Sequence, residues 1–199
     1  EIIEVIVEDA KADLDSVKTI TEEKEENTKK FRESLQNDEG DVLNSMTVQG
    51  TKLIVDTKEK DSTCFYFGSQ TGNDQTAFEA KLTANYRNTV WSSFTIRFCA
   101  WDRVNGYKVE IKHDNINIYI TNWDEATNGP KDTLIMKNNY GIQDGTEVKL
   151  QVLVSGWQKS LLINGECVFS YNEDQRVGGR TYFETWQTGL VFDEPTYTE

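Results

Sequence analysis

In the stretch FTIRFCAWDRVNGYKVEIKHDNINIYI, residues 94–120, apolar residues alternate with polar and aromatic ones. A period of two marks strands with one buried face. Arg97, Trp101, Glu110, Asn117 and Tyr119 would then share the other face, with Lys108 among them. A flat aromatic ring stacks on C–H faces. Carboxylate, amide and guanidinium groups take hydroxyls in pairs. Those parts suit a sugar, although an ordinary solvated sheet face also carries charges.

Two turns set the expected register. Asn105-Gly106 is a strong hairpin signal, because a type I′ turn needs two residues that tolerate positive φ. A two-residue turn there pairs Trp101 with Glu110 and puts Phe94, Ile96, Phe98 and Ala100 on one face with Val109 and Ile111. A slip of one residue destroys that match. A second turn at His113-Asp114 pairs Glu110 with Asn117 and Lys108 with Tyr119. The candidate row is therefore Trp101–Glu110–Asn117, flanked by Arg97, with Asp102 and Tyr107 at the hairpin rim. Trp186, ending YFETW, is a further aromatic placed for a ligand. Trp123 lies in NWDEATNGPKD, read as a polar loop.

Other chemistry finds less support. QNDEGD, residues 36–41, is an acidic turn. Read as ligands, Asp38 and Asp41 with Asp193 would hold a structural calcium ion, which prefers six to eight oxygens. The spacing is not that of an EF-hand. His113 is the only histidine and falls in a predicted turn, which leaves no His-based metal site and no obvious Ser/His/Asp triad. Gly-rich phosphate loops are absent. Cys64, Cys99 and Cys167 form no metal spacing and read as small buried hydrophobes.

The 199 residues fit one domain with an extension. The net charge of −13 opposes nucleic acid and anionic membranes. No apolar run approaches a membrane span. The chain opens mid-sequence with EIIEVIVEDA and reads as a piece of a longer protein. Ile3, Val7, Ala10, Leu14 and Val17 step by four and three, which predicts a helix; the β-branched opening leaves a strand open there. Thr21, Lys24 and Thr28 interrupt the stripe, so one helix or two are expected over residues 1–30, as an extension, linker or protein-partner surface. Residues 31–199 are expected to form the main domain. From about residue 42, a dozen short β-rich runs separated by Asn105-Gly106, Asp144-Gly145, Asn164-Gly165 and Gly178-Gly179 predict an antiparallel β-sandwich.

The series TVQGTKLIVD, FTIRFCAWDRVNGYKVEI, VKLQVLVSGWQKSLLINGECVF and GGRTYFETWQTGLVFDEPTY resembles the concanavalin A-like (laminin G-like) jelly-roll superfamily. It is most similar there to the carbohydrate-binding modules beside levanases and other bacterial glycosidases. A D-x-x-N-G-Y hairpin is matched by Asp102, Asn105, Gly106 and Tyr107. The closing T-W … F-D pattern is matched by Thr185, Trp186, Phe192 and Asp193. Glu184 stands where the family often has Arg, and Met46 where it has Trp. The E-x-D-x-x-E cluster of the glucanase relatives has no counterpart. The resemblance implies a non-catalytic jelly-roll module that binds glycan, within a secreted or cell-surface bacterial protein. Two rivals stand beside it. One is an adhesion or assembly domain using the N-terminal helix. The other is a glycosidase-like domain using Glu110, Glu184 or Asp193.

Overall fold

The computed structural model describes residues 2–37, 46–56, 61–68, 75–99, 105–155, 158–172 and 180–198. Among the described residues one helix, α1 (Ile2–Ser34), precedes thirteen strands. Seven form one antiparallel sheet. In spatial order they are β1 (Met46–Gln49), β2 (Lys52–Val55), β13 (Thr188–Thr198), β4 (Gln75–Tyr86), β9 (Glu147–Ser155), β10 (Gln158–Ile163) and β11 (Glu166–Asn172). Six form the other: β3 (Ser62–Phe67), β12 (Arg180–Trp186), β5 (Ser93–Cys99), β6 (Gly106–Ile111), β7 (Ile116–Asp124) and β8 (Gly129–Asn138). This is the expected jelly-roll sandwich.

Alternation builds the core. In β4, Phe78, Ala80, Leu82, Ala84 and Tyr86 turn inward between exposed or half-exposed partners. Phe94, Ile96 and Phe98 of β5 and Val109 and Ile111 of β6 face them from the second sheet. Asn164 and Gly165 take positive φ, 52° and 81°, at the β10–β11 turn, which is the I′ chemistry the dipeptide predicts. Pro130 lies at the start of edge strand β8. Pro195 falls in a break of the β13–β4 ladder between Asp193 and Thr196, so neither ring removes a needed donor.

Of the one helix or two expected, the described residues form one, which includes the β-branched opening and continues past residue 30 to Ser34. Its last turns are also part of the sandwich. Phe31 is 1% exposed and stacks on Phe78 at 4.8 Å, with Phe67, Phe192 and Tyr197 around it. Leu35 is buried, and Gln36 exchanges two backbone hydrogen bonds with Tyr66 of β3. The polar interruptions of the stripe also find partners. Thr28 Oγ1 lies 3.0 Å from the Thr51 carbonyl, and Lys24 Nζ lies 2.7 Å from Glu194. Glu194 also meets Lys81 at 2.9 Å; Lys24 and Lys81 together hold its carboxyl below the usual range. Among the described residues no helix is long and apolar enough to cross a membrane.

Candidate functional site

The outward side chains of the six-stranded sheet lie in rows fixed by its register. One row runs Cys64, Glu184, Thr95, Glu110, Asn117; the next runs Tyr66, Tyr182, Arg97, Lys108, Tyr119, Leu134. In a third, Gly106 separates Cys99 from Thr121, which pairs with Asp132. The β6–β7 register is the expected one, with Glu110 opposite Asn117. The β5–β6 register is not. Glu110 faces Thr95 instead of Trp101, because β5 ends at Cys99 and Gly106 already belongs to β6. The slip is an even number of residues, so the apolar faces still match. Trp101 and Asp102 lie outside the described residues.

The charged side chains of this face are interlocked. Arg97 donates from Nε and Nη2 to the two Glu184 oxygens at 3.3 and 3.2 Å. Its Nη1 donates to Thr121 Oγ1 at 3.2 Å, across the column where Gly106 has no side chain. Thr121 in turn donates to Asp132 at 2.7 Å, and Lys108 bonds the other Asp132 oxygen. Lys108 also lies over the Tyr119 ring, 4.6 Å from its centroid. Glu110 accepts from Asn117 at 3.2 Å and Tyr119 at 3.5 Å, with Lys112 at 3.9 Å. The Arg97 side chain is only 11% exposed, that of Lys108 16% and that of Glu184 18%. Freely solvated charges are rarely so covered. Three cations meet three carboxylates here, so the face is polar without a dominant sign.

Electrostatics follow from the packing. Burial pushes the Asp132 carboxyl up, but the Lys108 and Thr121 hydrogen bonds and the charges of Lys108 and Arg97 outweigh it and hold the group low. Burial, then the Glu110 and Asp132 charges, push the Tyr119 hydroxyl up. A carboxyl held low stabilises the fold above its unfolded pKa, and that contribution disappears as pH falls through the folded value. Asp132→Asn should therefore flatten the acid side of the stability curve. Thermal melting across the acid range checks this; an unchanged acid slope would mean the Lys108 contact contributes nothing.

Aromatic groups frame the polar rows. Trp186, 47% exposed, ends β12 beside Ser62 and Ser93, where the chain turns into the other sheet. Gln187, at φ 49°, anchors that corner by backbone bonds to Asp61 and Arg87. Trp91, 67% exposed, stands at the same end, two residues before β5. Exposed Trp123 lies toward the opposite end, on β7. The segment read as a polar loop is thus two hairpin arms, which is how Asp132 reaches Thr121. Spacing from Thr121 and Trp123 to Pro130 and Asp132 around Asn128, at φ 50°, was the signal available. Tyr66, Tyr182 and Arg180 extend the face on the β3 side. The two rings lie 4.9 Å apart, and the Arg180 guanidinium covers Tyr66 at 4.2 Å.

Other expected residues lie elsewhere. Tyr107 is not at a rim. It is 3% exposed, inside the core against Phe169 and Tyr171, because its odd position shares the inward face with Val109. Asp193 accepts from Thr51 Oγ1 at 2.6 Å and belongs to β13 of the other, seven-stranded sheet, opposite Lys52. Asp38 and Asp41 lie outside the described residues. Among the described residues no three His, Cys, Asp or Glu side chains converge as a metal site. Cys167 is exposed at the start of β11, contrary to the buried expectation, and Cys64 is half-buried with Sγ 4.0 Å from Glu184.

No protein-family model matches the chain, and no curated protein matches it in sequence. Solved structures do match. The carbohydrate binding module CBM66 from Bacillus subtilis is 15% identical, with TM-score 0.56 over 83% of this chain and 96% of that one. The Emp47p carbohydrate recognition domain is 7% identical, with TM-score 0.54 over 83% and 88%. A putative glycosyl hydrolase from Parabacteroides distasonis is 12% identical, with TM-score 0.52 over 83% and 88%. The chain shares its antiparallel jelly-roll sandwich fold with these structures.

Proposed function

We propose that the outer face of the six-stranded sheet binds glycan, as the non-catalytic module of a larger secreted or cell-surface protein. The observation that carries this reading is the interlocked row from Glu184 through Arg97, Thr121 and Asp132 to Lys108, framed by exposed tryptophans. Mutual hydrogen bonds fix donors and acceptors in advance, so a hydroxylated ligand need not order them. The balance of charge suits a neutral sugar. Trp186 supplies an apolar plane, and Glu110 and Asn117 supply an acceptor and an amide at the next strands. The solved neighbours named for carbohydrate binding support the same reading. Individual hydrogen bonds exchanged with water contribute about 0.5–1.5 kcal/mol net, so affinity should be modest.

A glycan array with the wild-type chain, Trp186→Ala and Arg97→Lys tests the proposal. Trp186→Ala should weaken binding at least about tenfold, the value of a lost apolar contact of this size. Arg97→Lys keeps the charge but cannot fork onto Glu184, and it should weaken binding too. Binding untouched by both changes would remove this face from consideration. The enzyme reading differs in one outcome. Turnover of a bound glycan, abolished by Glu184→Gln or Glu110→Gln, would make the face catalytic.

A further inference from the structure

We propose that β8 pairs antiparallel, edge to edge, with the β8 of a second copy of this chain. The inference is independent of the glycan reading. β8 runs for 10 residues at one end of the six-stranded sheet, and among the described strands only β7 pairs with it. The other end of that sheet is partly covered, because Gln36 exchanges backbone hydrogen bonds with Tyr66 on β3. β8 is open instead. Every residue from Pro130 to Lys137 is exposed, including the apolar Leu134, Ile135 and Met136. A groove of about 440 Å³ separates β8 from β11, lined by Met136, Tyr140, Phe169 and Tyr171, so the opposite sheet does not close over the edge. A long edge strand presents a free row of N–H and C=O groups, and the occupant that satisfies such a row is another strand.

Charge complementarity identifies that strand as a second β8. A bulge commonly discourages pairing at an edge. Here it changes which residues share a face. On a regular strand Asp132 and Lys137, an odd number of residues apart, would lie on opposite faces. Ile135 has no partner on β7, because Leu134 lies opposite Tyr119 and Met136 opposite Ile118. That extra residue resets the alternation. Asp132, opposite Thr121, and Lys137, opposite Asn117, therefore both belong to the outer face. An antiparallel pair with its dyad between positions 134 and 135 sets Asp132 against Lys137 of the second copy, twice by symmetry. Thr133 then meets Met136, Lys131 meets Asn138, and Leu134 meets Ile135 at the centre. A slip of one residue would set Asp132 against Met136 or Asn138, which share the core-side face with Ile118 and Ile116. Lys137 is exposed and makes no ion pair among the described residues. The Asp132 side chain keeps 35% of its surface while bonded to Lys108 and Thr121, and a carboxylate has lone pairs left for a third donor. The dyad stands normal to the sheet, so the two six-stranded sheets join and both outer faces point the same way.

Analytical ultracentrifugation of the 199-residue chain tests this. The mass should rise from the 22.8 kDa monomer toward twice that value over micromolar concentrations. Ile135→Lys should raise the dimer dissociation constant at least about tenfold. Its melting curve at low concentration should match wild type, because Ile135 is 52% exposed and has no partner on β7. Lys137→Glu sets a like charge against Asp132 and should weaken the dimer several-fold, whereas Lys137→Arg should preserve it. A monomer at every concentration overturns the proposal. A dimer indifferent to Ile135→Lys overturns it too, by placing the contact away from the β8 edge. A dimer that responds to Ile135→Lys but not to Lys137→Glu overturns the proposed pairing of Asp132 with Lys137.

Discussion

Phe31→Ala should lower the unfolding free energy by about 3–5 kcal/mol, the usual cost of emptying a fully buried phenylalanine site. The ring is 1% exposed and touches four other aromatic rings from both the helix-side sheet and β3. A cavity there is bounded by strands that hold each other in register and cannot collapse freely. The loss is a large part of the roughly 5–15 kcal/mol available to a domain. Glu33→Ala, on the exposed side of the same turn, should stay within about 0.5 kcal/mol. Urea unfolding of both variants checks the contrast. A cost near that of Glu33→Ala would mean that the helix rests on the sandwich without belonging to it. The prediction also reaches the candidate site, because Leu35 and Gln36 follow directly and Gln36 is bonded to Tyr66 on the ligand-facing side.

The same turn shows why hydropathy alone marks no end of the helix near residue 30. Thr28 and Lys24 look like breaks in an apolar stripe, yet each faces a polar group at the rim of the sheet, Thr51 and Glu194. A helix docked across a sheet edge needs such residues, and hydropathy alone cannot tell them from solvent-facing ones. The strands were legible for the opposite reason. Their inward residues have no alternative to burial, so period-two alternation fixes the face of Arg97, Glu110 and Asn117. It does not fix how far one strand slides along another in even steps. That is why the two-residue turn fixes Glu110 opposite Asn117, whereas the longer β5–β6 connection lets Glu110 face Thr95 and not Trp101. The third part of the site joins Asp132, from the hairpin arm after β7, to Glu184, from a strand distant in sequence. Nothing local to YFETW announces that Glu184 meets Arg97, whose other arm reaches Thr121 and, through it, Asp132. The parity that placed Glu110 outward also assigns Tyr107 to the core.

Gly141→Ala is expected to cost about 3 kcal/mol or more, at the upper end of what overpacking does. A Cβ at Gly141 would lie 2.0 Å from the Lys112 carbonyl oxygen and 2.7 Å from the Asp114 nitrogen. Both are backbone atoms of the turn between β6 and β7, so no side chain can swing aside. The segment is also tied down, with Ile142 N bonded to Lys112 O at 3.0 Å and Gln143 Nε2 to His113 O at 2.8 Å. Relief requires the turn itself to move. That turn carries Lys112 and Asn115, which contact Glu110 and Asn117 in the outer row. Stability and glycan binding should therefore fall together in this variant, although Gly141 lies in neither the core nor the site. Gly129→Ala is the matched control: its nearest contact would be 3.9 Å, ordinary van der Waals distance. Thermal melting and array binding of the two variants side by side give the test. If Gly141→Ala melts like Gly129→Ala, the turn is free to yield. It then cannot be what holds Glu110 and Asn117 in place, and their alignment must come from the strands alone.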